Sequence, residues 1–167
     1  MDYHKAADRI RTLAGTNPPR VGLILGSGLG ELANSMSLLS EISYKDLPGF
    51  PEPTISGHYG QLKLGTLAGV PIACLQGRSH LYEGHHIQQL ATPIRALKLA
   101  GCEVLVLTCA AGSLHENMLP GDLMLVTDHI NWSGLSPLVG VNDDSIGPRF
   151  VDMSQAYDPM LQGLAKQ

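Results

Sequence analysis

Short apolar runs recur along the chain, and the residues between them set how each is read. Val21-Gly-Leu-Ile-Leu25 and Val104-Leu-Val-Leu-Thr108 are bounded and almost wholly apolar, the pattern of strands buried on both faces. Leu62 to Leu67 instead alternates apolar with polar or small residues and passes through Ala68-Gly69 into Pro71-Ile-Ala-Cys-Leu75, which predicts a hairpin. Leu123-Met-Leu-Val-Thr127 is a further strand candidate. Ile87 to Ala100 carries Leu90, Ile94 and Leu97 at helical spacing, with Gly101 placed as a C-cap and Lys98 near the negative end of the helix dipole. A helical stretch follows Glu31, and Tyr157 to Gln167 begins another helix that meets no stop signal, as expected of a fragment of a longer chain. Strands alternating with helices predict an α/β fold: a mixed, largely parallel sheet flanked by helices. Leu47 to Pro53, Ser133 to Pro137 and Gly140 to Phe150 are rich in Gly, Pro, Asn and Asp and read as long loops.

Size and composition narrow the class. A chain of 167 residues has room for one domain with a substantial core, so residues 1–167 are expected to form a single α/β domain. A net charge of −4, scattered Lys and Arg, and an aromatic content of 5% argue against a nucleic-acid surface, which needs a basic stripe or stacking platform. Cys74, Cys102 and Cys109 form an odd set without a Cys-x-x-Cys pair, so neither a disulfide framework nor a structural zinc site is expected. With no apolar leader after Met1 and no apolar stretch of membrane-spanning length, a reducing, cytoplasmic location is the expectation.

Candidate chemistry clusters after the strand candidates. Gly26-Ser-Gly-Leu-Gly30 follows the first, where glycines let the backbone approach an oxyanion. Its spacing departs from the dinucleotide fingerprint, with Glu31 in place of the last glycine, and no Gly-Lys-Ser/Thr follows. Ser27 either offers a hydroxyl donor to a ligand or caps a helix. Gly77-Arg-Ser-His-Leu-Tyr-Glu-Gly84 follows the hairpin, and the alternation of Arg78, His80 and Tyr82 can place three polar tips on one face. Arg presents a fixed fork for phosphate or carboxylate oxygens and His a second donor, so this is either an anion site or a surface loop closed by one helix-capping salt bridge. Glu83 could hold His80 or Arg78, or serve structure alone. His58 lies in a glycine-flanked loop, Ser56-Gly-His-Tyr-Gly60. Together with His80, His85 and His86 it invites a metal reading, but no His-Glu-x-x-His is present and no carboxylate is an obvious further ligand, so no metal is expected. Thr108-Cys-Ala-Ala-Gly-Ser113 ends a strand in small residues, which either expose backbone N–H groups to a ligand or pack against a helix. Cys109 has no paired base nearby that would make it a nucleophile.

Taken in order, Gly26-Ser-Gly-Leu-Gly30, Gly57-His58-x-Gly60, Gly77-Arg-x-His-x-Tyr-Glu-Gly84, Ala110-Ala-Gly-Ser113, Gly121-Asp122, Asp128-His129-Ile130-Asn131, Asn142-Asp143-Asp144, Arg149-Phe150 and Ala156-Tyr157-Asp158 closely resemble the trimeric purine nucleoside phosphorylases. The related methylthioadenosine phosphorylases are less similar. The resemblance runs from about residue 20 to residue 158 and implies the N-terminal portion of that fold. It implies phosphorolysis of purine ribonucleosides or deoxyribonucleosides to free base and sugar 1-phosphate, a purine-salvage reaction in which phosphate is a co-substrate and no cofactor is needed.

On the matching positions, the resemblance implies that Ser27, His58, Arg78, His80 and the backbone N–H of Ala110 hold phosphate, with Arg78 and His80 the catalytic pair. Tyr82 would touch the ribose, and Phe150 would reach the nucleoside site of the adjacent subunit of a homotrimer. Cys109 stands where the family usually has Asn and Ser113 where it often has Gly. The family's purine-binding Glu and Asn, a further phosphate-binding Ser and a His near the ribose 5′ position have no match. A different class of function also fits the residues: a phosphate-binding or oligomerising module without turnover.

Overall fold

The computed structural model describes residues 2–55, 57 and 59–167. The chain divides into two compact units, Met1–Ala110 and Ala111–Gln167.

The first unit holds the sheet. Its strands are β1 (Val21–Leu25), β2 (Ser37–Ser43), β3 (Gln61–Leu67), β4 (Val70–Gln76) and β5 (Val104–Leu107), in spatial order β2-β3-β4-β1-β5. β1 runs parallel to both β4 and β5, with Leu25 opposite Gln76 and Ile24 opposite Leu107. The β2–β3 and β3–β4 pairs are antiparallel, so the sheet is mixed as expected. The β3–β4 hairpin turns at Ala68-Gly69, both with positive φ, the backbone a tight hairpin turn needs.

Two layers cover the sheet. Helix α1 (Asp2–Ala14) buries Tyr3, Ala6, Ala7, Ile10 and Ala14, one stripe at helical spacing. It packs on α3 (Thr92–Ala100), which buries Ala96, Leu97 and Ala100. Alanines on both helices allow close approach, and the Arg95 guanidinium lies 5.3 Å from the centre of the Tyr3 ring. On the other side, Leu23, Leu25, Ile72 and Cys74 form a cluster with Ala33 and Met36.

Several local expectations change. The helical run from Ile87 is broken into α2 (Ile87–Leu90) and α3, with Pro93 at the start of α3. Proline fits a helix's first turn, where its missing N–H costs nothing, but it ends the ladder before it. The stretch after Glu31 is a 3₁₀ segment, Gly30–Ser35, rather than an α-helix. β2 and α1 add elements that the apolar pattern alone did not single out; β2 is mostly solvent-facing and carries a register shift between Leu38 and Ser40.

The second unit is mainly turns. Its regular element is α4 (Pro159–Ala165), capped by the Asp158 carboxylate, which accepts from the Met160 and Leu161 N–H groups at 2.8 and 3.0 Å. Leu123 to Thr127, expected as a strand, is irregular, and Leu123 is 89% exposed. A strand needs a neighbour's N–H and C=O groups to complete its ladder, and no strand pairs with this run among the described residues.

Candidate functional site

Parallel pairing brings the carboxyl ends of β4, β1 and β5 side by side, in that order. The residues that leave these ends are Gly77-Arg78, Gly26-Ser27 and Thr108-Cys109. This edge is where open α/β sheets expose free backbone groups and accept ligands.

The three segments are bonded to one another. The Gly77 N–H donates to the Leu25 carbonyl at 3.2 Å and the Thr108 N–H to the Ile24 carbonyl at 2.9 Å. The Gly26 N–H donates to the Thr108 hydroxyl at 2.9 Å, and that hydroxyl donates to the Ile24 carbonyl at 3.2 Å. Arg78 crosses the edge, its Nη1 donating to the Thr108 carbonyl. Gly26 is required by this closeness: a Cβ there would come within 2.7 Å of the Thr108 oxygen and 3.1 Å of the Arg78 Nη1. Gly26 to Leu29 forms a turn, with the Leu29 N–H donating to the Gly26 carbonyl at 3.3 Å and Gly28 at φ +84°. Ser27 stands exposed at its tip.

A second cluster follows Arg78. His80 opens a single 3₁₀ turn, Leu81–Glu83, and the Glu83 carboxylate folds back on it. Its Oε1 accepts from the His80 N–H at 2.6 Å and lies 3.0 Å from the His80 Nδ1. Its Oε2 accepts from the Thr54 hydroxyl at 2.7 Å and also from the Thr54 N–H. The Glu83 side chain is 2% exposed. Desolvation pushes its carboxyl up, but the hydrogen bonds from Thr54 and His80 outweigh it and bring the pKa down to about 2. An ionised carboxylate accepting at His80 Nδ1 fixes that nitrogen as the protonated one and sets the ring's orientation. Glu83 bonds both His80 and Thr54, and with His80 it forms a capping box that also closes the 3₁₀ turn, so the contact serves local structure as well. Tyr82 stacks on His80, ring centres 5.0 Å apart, and is 77% exposed.

Two buried residues position these segments and were not singled out in the sequence. The Tyr44 hydroxyl donates to the Gly77 carbonyl at 2.7 Å, while its backbone N–H donates to the Gly60 carbonyl at 2.8 Å. Burial first, and Cys74 beside it, push its phenol above the usual range, so it remains a neutral donor. The Gln76 Nε2 donates to the Gly30 carbonyl at 2.9 Å, tying the glycine-rich loop to the end of β4. A buried polar residue at a strand end is a usable sequence signal for such a role, but its partner is visible only in three dimensions.

The remaining candidates are distributed differently. His58 lies outside the described residues. Ala110 is exposed just past β5, and Cys109 is exposed beside it. Cys74 and Cys102 are buried, and burial raises their thiols to about 11 and about 12, so both are neutral at physiological pH. His85 Nε2 lies 3.2 Å from the Glu52 carbonyl. Among the described residues no group of three or more His, Cys, Asp or Glu is arranged to hold a metal ion, and no helix is long and apolar enough to cross a membrane. Phe150 belongs to the second unit and is 92% exposed.

Comparison with known proteins gives a consistent set. A model of the phosphorylase superfamily matches residues 20–167. Purine nucleoside phosphorylase 1 of Bacillus subtilis (strain 168) is 48% identical over 149 residues, covering 89% of this chain and 55% of that protein. The purine nucleoside phosphorylase of Bos taurus is 46% identical over 143 residues, covering 84% of this chain and 50% of that one. Among solved structures, isoform 2 of the Schistosoma mansoni purine nucleoside phosphorylase, in complex with cytosine and ribose-1-phosphate, superposes with a TM-score of 0.85 at 43% identity, over 98% of this chain and 58% of the other. The chain spans about half the length of the curated relatives it matches.

Proposed function

The chain belongs to the phosphorylase superfamily, and from that premise we propose that it supplies the phosphate half of a purine nucleoside phosphorylase active in purine salvage. The observation that supports the reading is the meeting of three parallel strand ends, from which the Gly26–Gly30 turn, the segment Arg78 to His80 and the backbone leading to Ala110 depart, with Gly26 and Arg78 both bonded to Thr108. Glycine-rich backbone, an always-charged fork and an oriented imidazole form a donor set for a phosphate dianion. The relatives' identity supports extending it to nucleosides, and the Schistosoma mansoni structure holds ribose-1-phosphate, the product class such a reaction would release.

In this reading Ser27, His58, Arg78, His80 and the Ala110 N–H bind phosphate, and Arg78 and His80 are the catalytic residues. A phosphate oxygen forms a bond to the anomeric carbon as the bond from that carbon to the purine nitrogen breaks. The electron pair of the broken bond leaves with the base, which takes up, by way of solvent, the proton that hydrogen phosphate gives up in becoming the sugar 1-phosphate dianion. Positive charge developing on the sugar is offset by the adjacent dianion, which Arg78 and His80 hold in place. Glu83 keeps His80 in one tautomer through the reaction. Tyr82 lies against the ribose, and Phe150 serves the nucleoside site of a neighbouring copy in a homotrimer. Phosphate is a co-substrate, no cofactor takes part, the enzyme is cytoplasmic, and both units are parts of one phosphorylase domain.

The test is cleavage of inosine and guanosine by a protein in which this chain is joined to the remainder of a relative's length, with and without phosphate and after chelator treatment; residues 1–167 alone are expected to bind phosphate without efficient turnover. Phosphate-dependent, chelator-insensitive release of base with sugar 1-phosphate is expected. Cleavage equally fast with water alone, or abolished by the chelator, overturns the reading; phosphate binding without turnover in the joined protein favours a binding or oligomerising module.

A further inference from the structure

Thr108 is the residue at which the three strand ends are joined, and its hydroxyl is engaged within the protein. Its hydroxyl both accepts and donates: it receives the Gly26 N–H at 2.9 Å and gives its own proton to the Ile24 carbonyl at 3.2 Å. Its backbone N–H bonds the same Ile24 carbonyl at 2.9 Å. Its carbonyl receives the Arg78 Nη1, and two residues on stands Ala110. One residue therefore touches the origin of the Ser27 turn and the Arg78 fork, and lies on the segment that carries Ala110.

We propose that the Thr108 hydroxyl is a positioning group for phosphate, acting through the Gly26 N–H rather than by contact; the inference rests on the phosphate reading above. Occupying the Gly26 N–H has a specific consequence. With that donor satisfied inside the sheet edge, the turn from Gly26 to Leu29 is held at one height, and Ser27 is carried at its tip. The backbone carbonyl of the same residue separately holds the Arg78 Nη1, and because every side chain at this position leaves that carbonyl in place, substitutions at 108 read the hydroxyl and the Gly26 turn alone. Valine has nearly the shape of threonine and lacks both hydrogen-bonding functions. Serine keeps them.

The experiment measures binding of radiolabelled inorganic phosphate by equilibrium dialysis to the unaltered chain and to Thr108→Val, Thr108→Ala and Thr108→Ser, with thermal unfolding of each followed in parallel. The expected result is weakening of at least fivefold in the valine and alanine variants and restoration to within twofold by serine, without the affinities following the order of melting temperatures. Affinities of the valine and alanine variants within twofold of the unaltered chain overturn the inference and leave the phosphate site standing. Loss of fold in both variants assigns the hydroxyl to closure of the sheet edge and also overturns it. Failure of the unaltered chain to bind phosphate overturns the site itself and this inference with it.

Discussion

Val104–Leu107 and Leu123 to Thr127 are runs of similar length and composition, and they end differently. The first is β5: it pairs with β1 from Val21 to Ile24, and its neighbours Glu103 and Thr108 add bonds to Arg20 and Ile24. The second, in the unit Ala111–Gln167, is irregular, with Leu123 and Met124 exposed. Apolar composition favours burial in both, but a backbone ladder exists only where a partner strand presents its own N–H and C=O groups. The contrast extends to the two units. In Met1–Ala110 residues such as Ile10, Leu25, Leu64 and Leu97 close a core between sheet and helices, although β5, expected to be buried on both faces, is an edge strand with Val106 and Leu107 exposed. In the other unit Trp132, Val141 and Phe150 stand in solvent, with no such core beside them among the described residues.

That contrast predicts very different local stabilities. Native-state hydrogen exchange should find the amides of β1 and β4 protected on the order of a thousandfold more than those of residues 123–127. Equal protection in the two would show that the second run has found a partner and would dissolve the comparison.

Core substitutions should sharpen it. Leu75→Ala, within β4 and almost fully buried, should cost about 2–5 kcal/mol in denaturant unfolding, since it removes packing that cannot fully collapse. Leu123→Ala should stay within about 0.5 kcal/mol. A large effect at Leu123 would mean that the residue is covered in solution.

At the strand ends, Arg78→Ala should weaken phosphate use by about 1.5–3 kcal/mol, roughly 10- to 100-fold in the Michaelis constant for phosphate, with a smaller change for the nucleoside. Unchanged phosphate dependence would remove Arg78 from the site.

The smallest expected effect belongs to Glu83. Its folded pKa of about 2 lies below its ordinary value of 4.5, so its ionised form favours the folded state. That contribution is complete above about pH 4.5 and is lost as the pH falls through about 2. Glu83→Gln should therefore lower stability by about 1–2 kcal/mol at neutral pH, after allowance for solvent screening, with the difference from the unaltered protein closing as the pH approaches 2. A constant difference across that range would detach the effect from ionisation. The same variant should reduce turnover more than it reduces phosphate binding, because the orientation of His80 would be lost while Arg78 remains.

Periodicity, turn residues and glycine spacing, all local properties, determined much of this protein in advance. β1, the β3–β4 hairpin, β5 and the residue at which α3 ends were legible because each is bounded by residues with few backbone choices, and the mixed sheet followed from the order of elements. The loops bearing Ser27, Arg78, His80 and Ala110 were legible for the same reason. Tertiary structure decided what depends on distant partners. Glu83 takes Thr54 across 29 residues as well as its near neighbour His80, Tyr44 reaches Gly77 across 33, and Thr108 meets Gly26 across 82. Leu123 to Thr127 stayed out of the sheet because an apolar pattern states a preference for burial and carries no hydrogen-bonding partner of its own. Pairing is a property of two segments, and only the folded chain supplies the second.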